Sequence, residues 1–163
     1  MNKRIRFLTT GAMIATLYVL LTELSALFGM SSGAIQLRLS EALCVLPCFT
    51  PAAIPGLFVG CFLANLLTTA TVWDITLGSL ATLLGALGTY ALRKWRWLAP
   101  LPPIIANILV IPLVIALSAG MTLSFPLLLG FALTVGIGEV ISCGVFGMLL
   151  FPILEKYKSK LFH

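Results

Sequence analysis

The sequence predicts an all-α, polytopic membrane protein with six transmembrane helices, both termini in the cytoplasm, and one integral membrane domain over residues 1–163. Three observations carry this prediction. The chain is 60% hydrophobic and 9% charged, with a mean hydropathy of +1.13, whereas a soluble domain carries about 25% charge. Its apolar residues form long runs separated by short polar, glycine or proline segments. Its basic residues cluster beside those runs.

The apolar runs fix the order of the spans. A transmembrane α-helix needs about 20 apolar residues, and the runs place the spans at about residues 7–28, 41–49, 53–69, 74–92, 104–118 and 126–155. The second span is short and follows a loop-like segment that begins near Gly29. Thr50 and Pro51 have the sequence of a helix cap and first turn, so they should begin the third span.

The basic residues predict the orientation. Three clusters, at residues 3–6, 93–96 and 156–160, fall on one side of a six-span chain, and Arg38 lies on the other. Basic residues concentrate in cytoplasmic loops, so both termini should be cytoplasmic. The net charge of +5 therefore indicates topology and contact with the lipid bilayer, and no nucleic acid partner is expected.

The four cysteines are predicted to be packing residues. They are Cys44, Cys48, Cys61 and Cys143, all within apolar runs. A metal site normally needs more ligands than this spacing offers, and the one histidine is terminal. We therefore predict no metal site and no cofactor.

Several polar side chains lie inside or at the ends of the spans. Glu139, Asn65 and Asn107 fall within spans, and Asp74 opens the fourth. A carboxylate in hydrocarbon is costly, so Glu139 must be protonated, paired or turned toward a polar cavity. The two asparagines could join helices by hydrogen bonds, and Asp74 could cap its helix.

The segment from residue 33 to residue 41 concentrates polar groups just before the second span. Gln36, Arg38 and Glu41 lie within six residues of one another, in a chain with only five acidic residues. Glu41 could pair with Arg38, three residues away. The alternative is that these side chains face a ligand.

Small residues mark one face of the first span. Gly11 and Ala15 are four apart, with Ala12 beside them. Such a face permits close helix association, either within this chain or with a partner protein.

Short strings over most of the chain, from about Leu8 to Glu155, resemble the QueT family in order and spacing. They are Gly33-Ala-Ile-Gln-Leu-Arg-Leu-Ser-Glu-Ala-Leu43, Phe49-Thr-Pro-Ala-Ala-Ile-Pro-Gly-Leu57, Asn65-Leu66, Trp73-Asp-Ile75, Gly78-Ser-Leu-Ala-Thr-Leu83, Leu98-Ala-Pro-Leu-Pro-Pro103 and Gly136-Ile-Gly-Glu139.

The resemblance implies a substrate-binding S component of an energy-coupling factor (ECF) transporter in the bacterial plasma membrane. Such a protein would take a queuosine precursor, 7-aminomethyl-7-deazaguanine or a related deazaguanine, from outside. It would associate with a transmembrane T component, through Gly11, Ala12 and Ala15, and with two cytoplasmic ATPases. The chain has no Gly-x-x-x-x-Gly-Lys-Ser/Thr string, which suits ATP hydrolysis by a partner.

The chemistry of such a ligand suggests the substrate-binding residues. A carboxylate accepts two N–H groups of a guanine-like edge at once, and the aminomethyl cation favours a second carboxylate or an aromatic face. The candidate binding residues are Glu41, Glu139, Gln36, Arg38, Asn107, Asn65, Trp73 and Asp74. Phe49 and Phe125 are further candidates for stacking on the ring.

The sequence is also compatible with other functions. The chain could be an S component for another vitamin-like ligand, or a stand-alone carrier with Glu139 as its proton site. It could also be a structural membrane subunit without a ligand. An intramembrane enzyme is disfavoured because no His-Glu-x-x-His or Ser-His set is present.

Overall fold

The fold is all-helical, as predicted. The structure is a computed structural model and describes residues 2–30, 37–68 and 71–161. Gln36, one of the predicted binding residues, lies outside these ranges. Within them the chain forms no strand and six helical rods, in the same order as the six predicted runs. The rods cover residues 3–27, 39–48, 53–68, 74–91, 96–118 and 125–161.

The rods alternate regular α-helix with tighter and wider helical segments. Their bounds are α1 (Lys3–Leu27), a 3₁₀ helix (Leu39–Cys48), α2 (Ala53–Thr68), a π-helical turn (Asp74–Gly78) leading into α3 (Ser79–Ala91), a 3₁₀ turn (Arg96–Leu98), α4 (Leu101–Ser118), α5 (Phe125–Glu139), a π-helical segment (Val140–Phe146) and α6 (Gly147–Leu161). In the described part, three helices are long and apolar enough to cross a membrane: Lys3–Leu27, Arg96–Ser118 and Phe125–Lys158.

The second rod is a 3₁₀ helix of ten residues, Leu39–Cys48. Runs of this helix type longer than three or four residues are uncommon, because its hydrogen-bond geometry is poorer than that of an α-helix. Its rise of about 2.0 Å per residue lets ten residues extend about 20 Å. The segment is packed against α1, α3, α6 and the Val140–Phe146 segment, so tertiary contacts must maintain it.

A polar stripe on α1 supplies part of that support. Tyr18, Thr22 and Ser25 follow one face of the helix and are at most 3% exposed. The Ser25 hydroxyl accepts a hydrogen bond from the backbone N–H of Leu39 at 2.9 Å. The Thr22 hydroxyl donates to the Ser40 hydroxyl at 2.8 Å. The stripe therefore anchors the start of the 3₁₀ helix, where helical N–H groups have no partner of their own.

Two of the small residues of α1, Gly11 and Ala15, pack within this chain. A Cβ added at Gly60 would lie 2.7 Å from the Cβ of Tyr18 and 3.0 Å from the Cα of Ala15, and one at Gly56 would lie 2.7 Å from the Gly11 carbonyl oxygen. Helices α1 and α2 thus approach so closely that only glycine fits on the α2 side.

We predict that Gly60→Ala lowers the free energy of unfolding by about 1–3 kcal/mol, because the added methyl overpacks the α1–α2 contact. The measurement is unfolding of the purified protein in mixed micelles with sodium dodecyl sulfate. Gly130→Ala is the matched control, since a Cβ there meets no atom within 4 Å. Equal losses in both variants would contradict the assigned close contact.

Candidate functional site

Four of the predicted binding residues line one cavity between the rods. They are Arg38, Glu41, Asn107 and Glu139, contributed by four different parts of the chain. The other lining residues are Cys61, Gly78, Thr82, Ile111 and Val135. The cavity encloses about 30 Å³, enough for one or two water molecules. Three charged side chains, Arg38, Glu41 and Glu139, thus meet at one cavity.

Glu41 is the most enclosed acid of the site, with 3% of its surface exposed. The Tyr18 hydroxyl donates a short hydrogen bond to one carboxylate oxygen, Oε1. The Cys44 thiol donates to the other, Oε2, at 3.0 Å. Cys44 follows Glu41 by three residues, and side chains at that spacing eclipse each other in a 3₁₀ helix. The helix type therefore brings the thiol to the carboxylate.

Arg38 is paired with an amide and not with Glu41. Its Nη1 donates to Asn65 Oδ1 at 3.3 Å, and the ion pair that the structure records among described residues joins Arg96 to Glu155. This differs from the alternative in which Arg38 and Glu41 form a simple structural pair. The guanidinium thus keeps N–H groups for the cavity that it lines.

Asn65 links three elements beside the cavity. It is 1% exposed, accepts from Arg38, and donates through Nδ2 to the backbone carbonyl of Asp74 at 2.8 Å. A Cβ added at Gly78 would lie 3.1 Å from that Nδ2. Asn65 therefore positions the Arg38 side chain and the start of the fourth rod, and does not itself line the cavity.

Glu139 lies where α5 passes into the π-helical segment Val140–Phe146. The Cys143 thiol, one turn later, donates to Glu139 Oε2 at 3.3 Å. Cys143 also approaches the backbone carbonyl of Glu41, at 3.4 Å. π-helical turns occur mostly as short insertions and often at functional sites. Here the wider turn places Cys143 between the two acids.

Asp74 and Trp73 lie away from the cavity lining. The Asp74 carboxylate accepts from Thr71 and, at 3.4 Å, from Ser118 of α4, while the Thr71 hydroxyl accepts the Asp74 N–H at 3.4 Å. Thr71 therefore acts as the cap, and Asp74 fastens the helix start to α4. The side chain of Trp73 is 45% exposed.

The proposed stacking rings are also elsewhere. Phe49 packs on Phe151, with ring centroids 4.7 Å apart, and Phe125 is 79% exposed. The large apolar walls of the cavity are instead aliphatic, Ile111 and Val135.

Sequence reasoning missed the hydrogen-bonding residues behind the two acids. Tyr18 lies in the first span, whose other residues are mostly apolar and favour contact with lipid. Tyr18, Thr22 and Ser25 repeat at helical spacing, and this pattern could have indicated a buried face. Cys61 and Thr82 both line the cavity, and the Thr82 hydroxyl donates to Cys61 Sγ at 3.2 Å. No local motif marks that pair.

We predict that Tyr18→Phe lowers the free energy of unfolding by about 1.5–3 kcal/mol, because it leaves one oxygen of a buried carboxylate without its donor. The measurement is the same micellar unfolding titration. Tyr157→Phe provides the control, since Tyr157 is 42% exposed. A Tyr18→Phe protein as stable as the control would mean that the hydroxyl contributes nothing to holding Glu41.

Comparisons with known proteins agree with the sequence pattern. A family model described as QueT transporter matches residues 8–156. The queuosine precursor transporter QueT of Lactococcus lactis subsp. cremoris (strain MG1363) is 38% identical over 76 residues, which span 47% of this chain and 44% of that relative. The matched segment is thus less than half of the relative's length. No solved structure matches. Because the family model covers nearly the whole chain, this membrane protein belongs to the QueT transporter family.

Proposed function

We propose that this protein is the substrate-binding S component of an ECF-type transporter, and that it captures 7-aminomethyl-7-deazaguanine or a related deazaguanine from outside the cell. The observation that carries the proposal is the cavity in which two carboxylates meet an arginine and an asparagine. The substrate class is supported by the matching relative from Lactococcus lactis, which is a queuosine precursor transporter.

The donor and acceptor groups of the cavity suit this ligand. A guanine-like edge offers a ring N–H and an exocyclic amine, and one carboxylate can accept both. The aminomethyl cation then takes the second carboxylate, while Arg38 or Asn107 donates to the ring carbonyl. Asn65 supports Arg38 from behind. Glu41 and Glu139 thus supply the anionic ends of the site, and the aliphatic walls face the ring.

The size of the cavity adds a mechanical requirement. About 30 Å³ is too little for a bicyclic heterocycle, since pockets for such molecules measure about 300–1,000 Å³. The ligand must therefore move the cavity walls apart or extend beyond this space. Binding should change the packing around Glu41 and Glu139, because both are held by thiol donors that the ligand has to displace.

The proposed orientation, six spans with cytoplasmic termini in the plasma membrane, has support from contacts between distant rods. Arg96 Nη1 lies 2.5 Å from Glu155 Oε1, which joins the second and third basic clusters at one end of the bundle. Lys3 and Arg6 of the first cluster share a surface pocket with Thr50, at the start of α2. Basic residues gathered at one end are expected of a cytoplasmic face.

The T component is proposed to dock on the small-residue face of α1. An apolar groove of about 200 Å³ is lined by Gly11, Ala12 and Ala15, together with Phe7, Leu8, Pro55, Gly56 and Val59. Gly11 and Ala15 pack against α2, yet Ala12 remains exposed. The two ATPases would bind the T component on the cytoplasmic side.

Glu139→Gln should weaken deazaguanine binding at least tenfold, because a hydrogen bond to a charged group contributes about 1.5–3 kcal/mol. Isothermal titration calorimetry of the purified protein with the deazaguanine series measures this. Glu155→Gln is the matched control, since that carboxyl pairs with Arg96 outside the cavity. An unchanged affinity for Glu139→Gln would remove Glu139 from the site, and binding of thiamine or riboflavin instead would assign another ligand.

Ala12→Phe should reduce co-purification of the T component at least tenfold while deazaguanine binding is retained, because the ring fills the groove. Ala26→Phe is the control, since Ala26 is an exposed position on the same helix. Both variants are co-expressed with the T component and the ATPases, and uptake of labelled ligand is followed. Uptake in cells that lack these partners would contradict the S-component assignment and select a stand-alone carrier.

A further inference from the structure

We propose that Cys44, Cys143 and Glu41 form a binding site for a thiophilic divalent cation such as Zn²⁺ or Cd²⁺. The sequence alone predicted packing roles for these cysteines. The structure instead places both thiols beside the two buried acids, although the residues come from opposite ends of the chain.

The distances between the donor atoms fit one small ion. One sulfur or oxygen atom from each of Glu41, Cys44 and Cys143 lies within 4.8 Å of the others. Glu41 Oε2 is 3.0 Å from Cys44 Sγ and 3.9 Å from Cys143 Sγ. In a tetrahedral zinc site, bonds of about 2.0–2.3 Å separate neighbouring ligand atoms by about 3.3–3.8 Å. The three separations therefore differ from the tetrahedral values by about 1 Å at most, and a water molecule can occupy the fourth position.

The backbone brings these donors together from two helices. Glu41 and Cys44 are three residues apart on the 3₁₀ helix, where that spacing aligns side chains. Glu139 and Cys143 are four residues apart on the last rod, and their side chains are 3.3 Å apart. The 3₁₀ helix thus supplies a thiol and a carboxylate, and the last rod supplies the second thiol, with Glu139 beside it.

The Tyr18 hydroxyl completes the arrangement from outside the coordination sphere. It holds Glu41 Oε1, which leaves Oε2 directed toward the thiols. Hydrogen bonds that fix the orientation of a metal ligand are typical of protein metal sites and raise affinity.

The donor set selects the class of ion. Thiolates favour zinc and softer ions, whereas magnesium and calcium favour oxygen alone. Binding would release the two thiol protons to solvent. Two thiolates and one carboxylate carry three negative charges against two positive charges on the metal, and Arg38, which lines the adjoining cavity, offsets the remaining one.

Occupancy of this site would oppose ligand capture. This step rests on the proposed function, because it assumes that the deazaguanine needs Glu41 and Glu139. A cation bound to Glu41 Oε2 withdraws the acceptor that the ligand's N–H groups require, and it pulls the 3₁₀ helix toward the last rod. The cation is therefore expected to act as a competitive inhibitor of ligand binding.

The test is a titration of the purified full-length protein with Cd²⁺, in detergent and a phosphine reductant, followed through the thiolate-to-metal absorption band in the ultraviolet. Wild type and Cys48→Ser should show a saturable band at one ion per chain. Cys48 is the matched control because it lies on the same 3₁₀ helix but approaches the Thr89 carbonyl instead, at 3.8 Å. Cys44→Ser and Cys143→Ser should each bind Cd²⁺ at least tenfold more weakly.

Two results would overturn the site: no band in folded wild-type protein, or an undiminished band in the double variant Cys44→Ser/Cys143→Ser. Circular dichroism shows whether each variant is folded. The first result needs only the wild-type protein, so it does not depend on the folding of a variant. Calorimetry with the deazaguanine, with and without Cd²⁺, separates the two proposals. A Cd²⁺ band without deazaguanine binding would support the metal site and contradict the proposed ligand. Deazaguanine binding without a Cd²⁺ band would contradict the metal site alone.

Discussion

The contact between the polar stripe of α1 and the 3₁₀ helix is the constraint on which the site depends. Ten residues of 3₁₀ helix are unfavourable in isolation, and in hydrocarbon every backbone N–H needs a partner within the protein. Ser25 satisfies the Leu39 N–H, Thr22 bonds to Ser40, and Tyr18 bonds to Glu41. Because the three α1 residues lie on one helix face, they fix the axial position and the rotation of the 3₁₀ helix together. Glu41 can then face the cavity and no other compartment.

The close approach of α1 and α2 makes this stripe rigid. Gly60 of α2 packs directly against the Cβ of Tyr18 and the backbone of Ala15, so the point at which the Tyr18 side chain leaves α1 is closely packed. On the opposite side, the π-helical segment after Glu139 brings Cys143 up to the backbone of Glu41. A tyrosine from the first rod thus holds the Glu41 carboxylate, and a cysteine from the last rod contacts both acids.

The sequence was sufficient to predict the rods but not their helix type. Long apolar runs specify α1, α4 and the last rod, because a span of such length leaves few alternatives. The second run is short, and periodicity over so few residues does not separate 3₁₀ from α geometry. Glu41 and Glu139 stood out as candidates because acids are rare in this chain, and both line the cavity. The aromatic candidates could not be placed in this way, since an aromatic residue serves equally well at a lipid interface.

The hydrogen bonds that Glu41 already makes within the protein reduce the free energy that a ligand can gain by binding to it. Both carboxylate oxygens have protein donors, so a ligand gains only the difference between its own hydrogen bonds and those it replaces. A thiol is a weak donor, whereas a phenolic hydroxyl is a strong one. Replacing the Cys44 thiol at Oε2 is therefore favourable for an N–H group of a ligand, while displacing Tyr18 from Oε1 is not. The same difference in donor strength explains how Glu41 Oε2 can remain available to a ligand while Oε1 stabilises the fold through Tyr18.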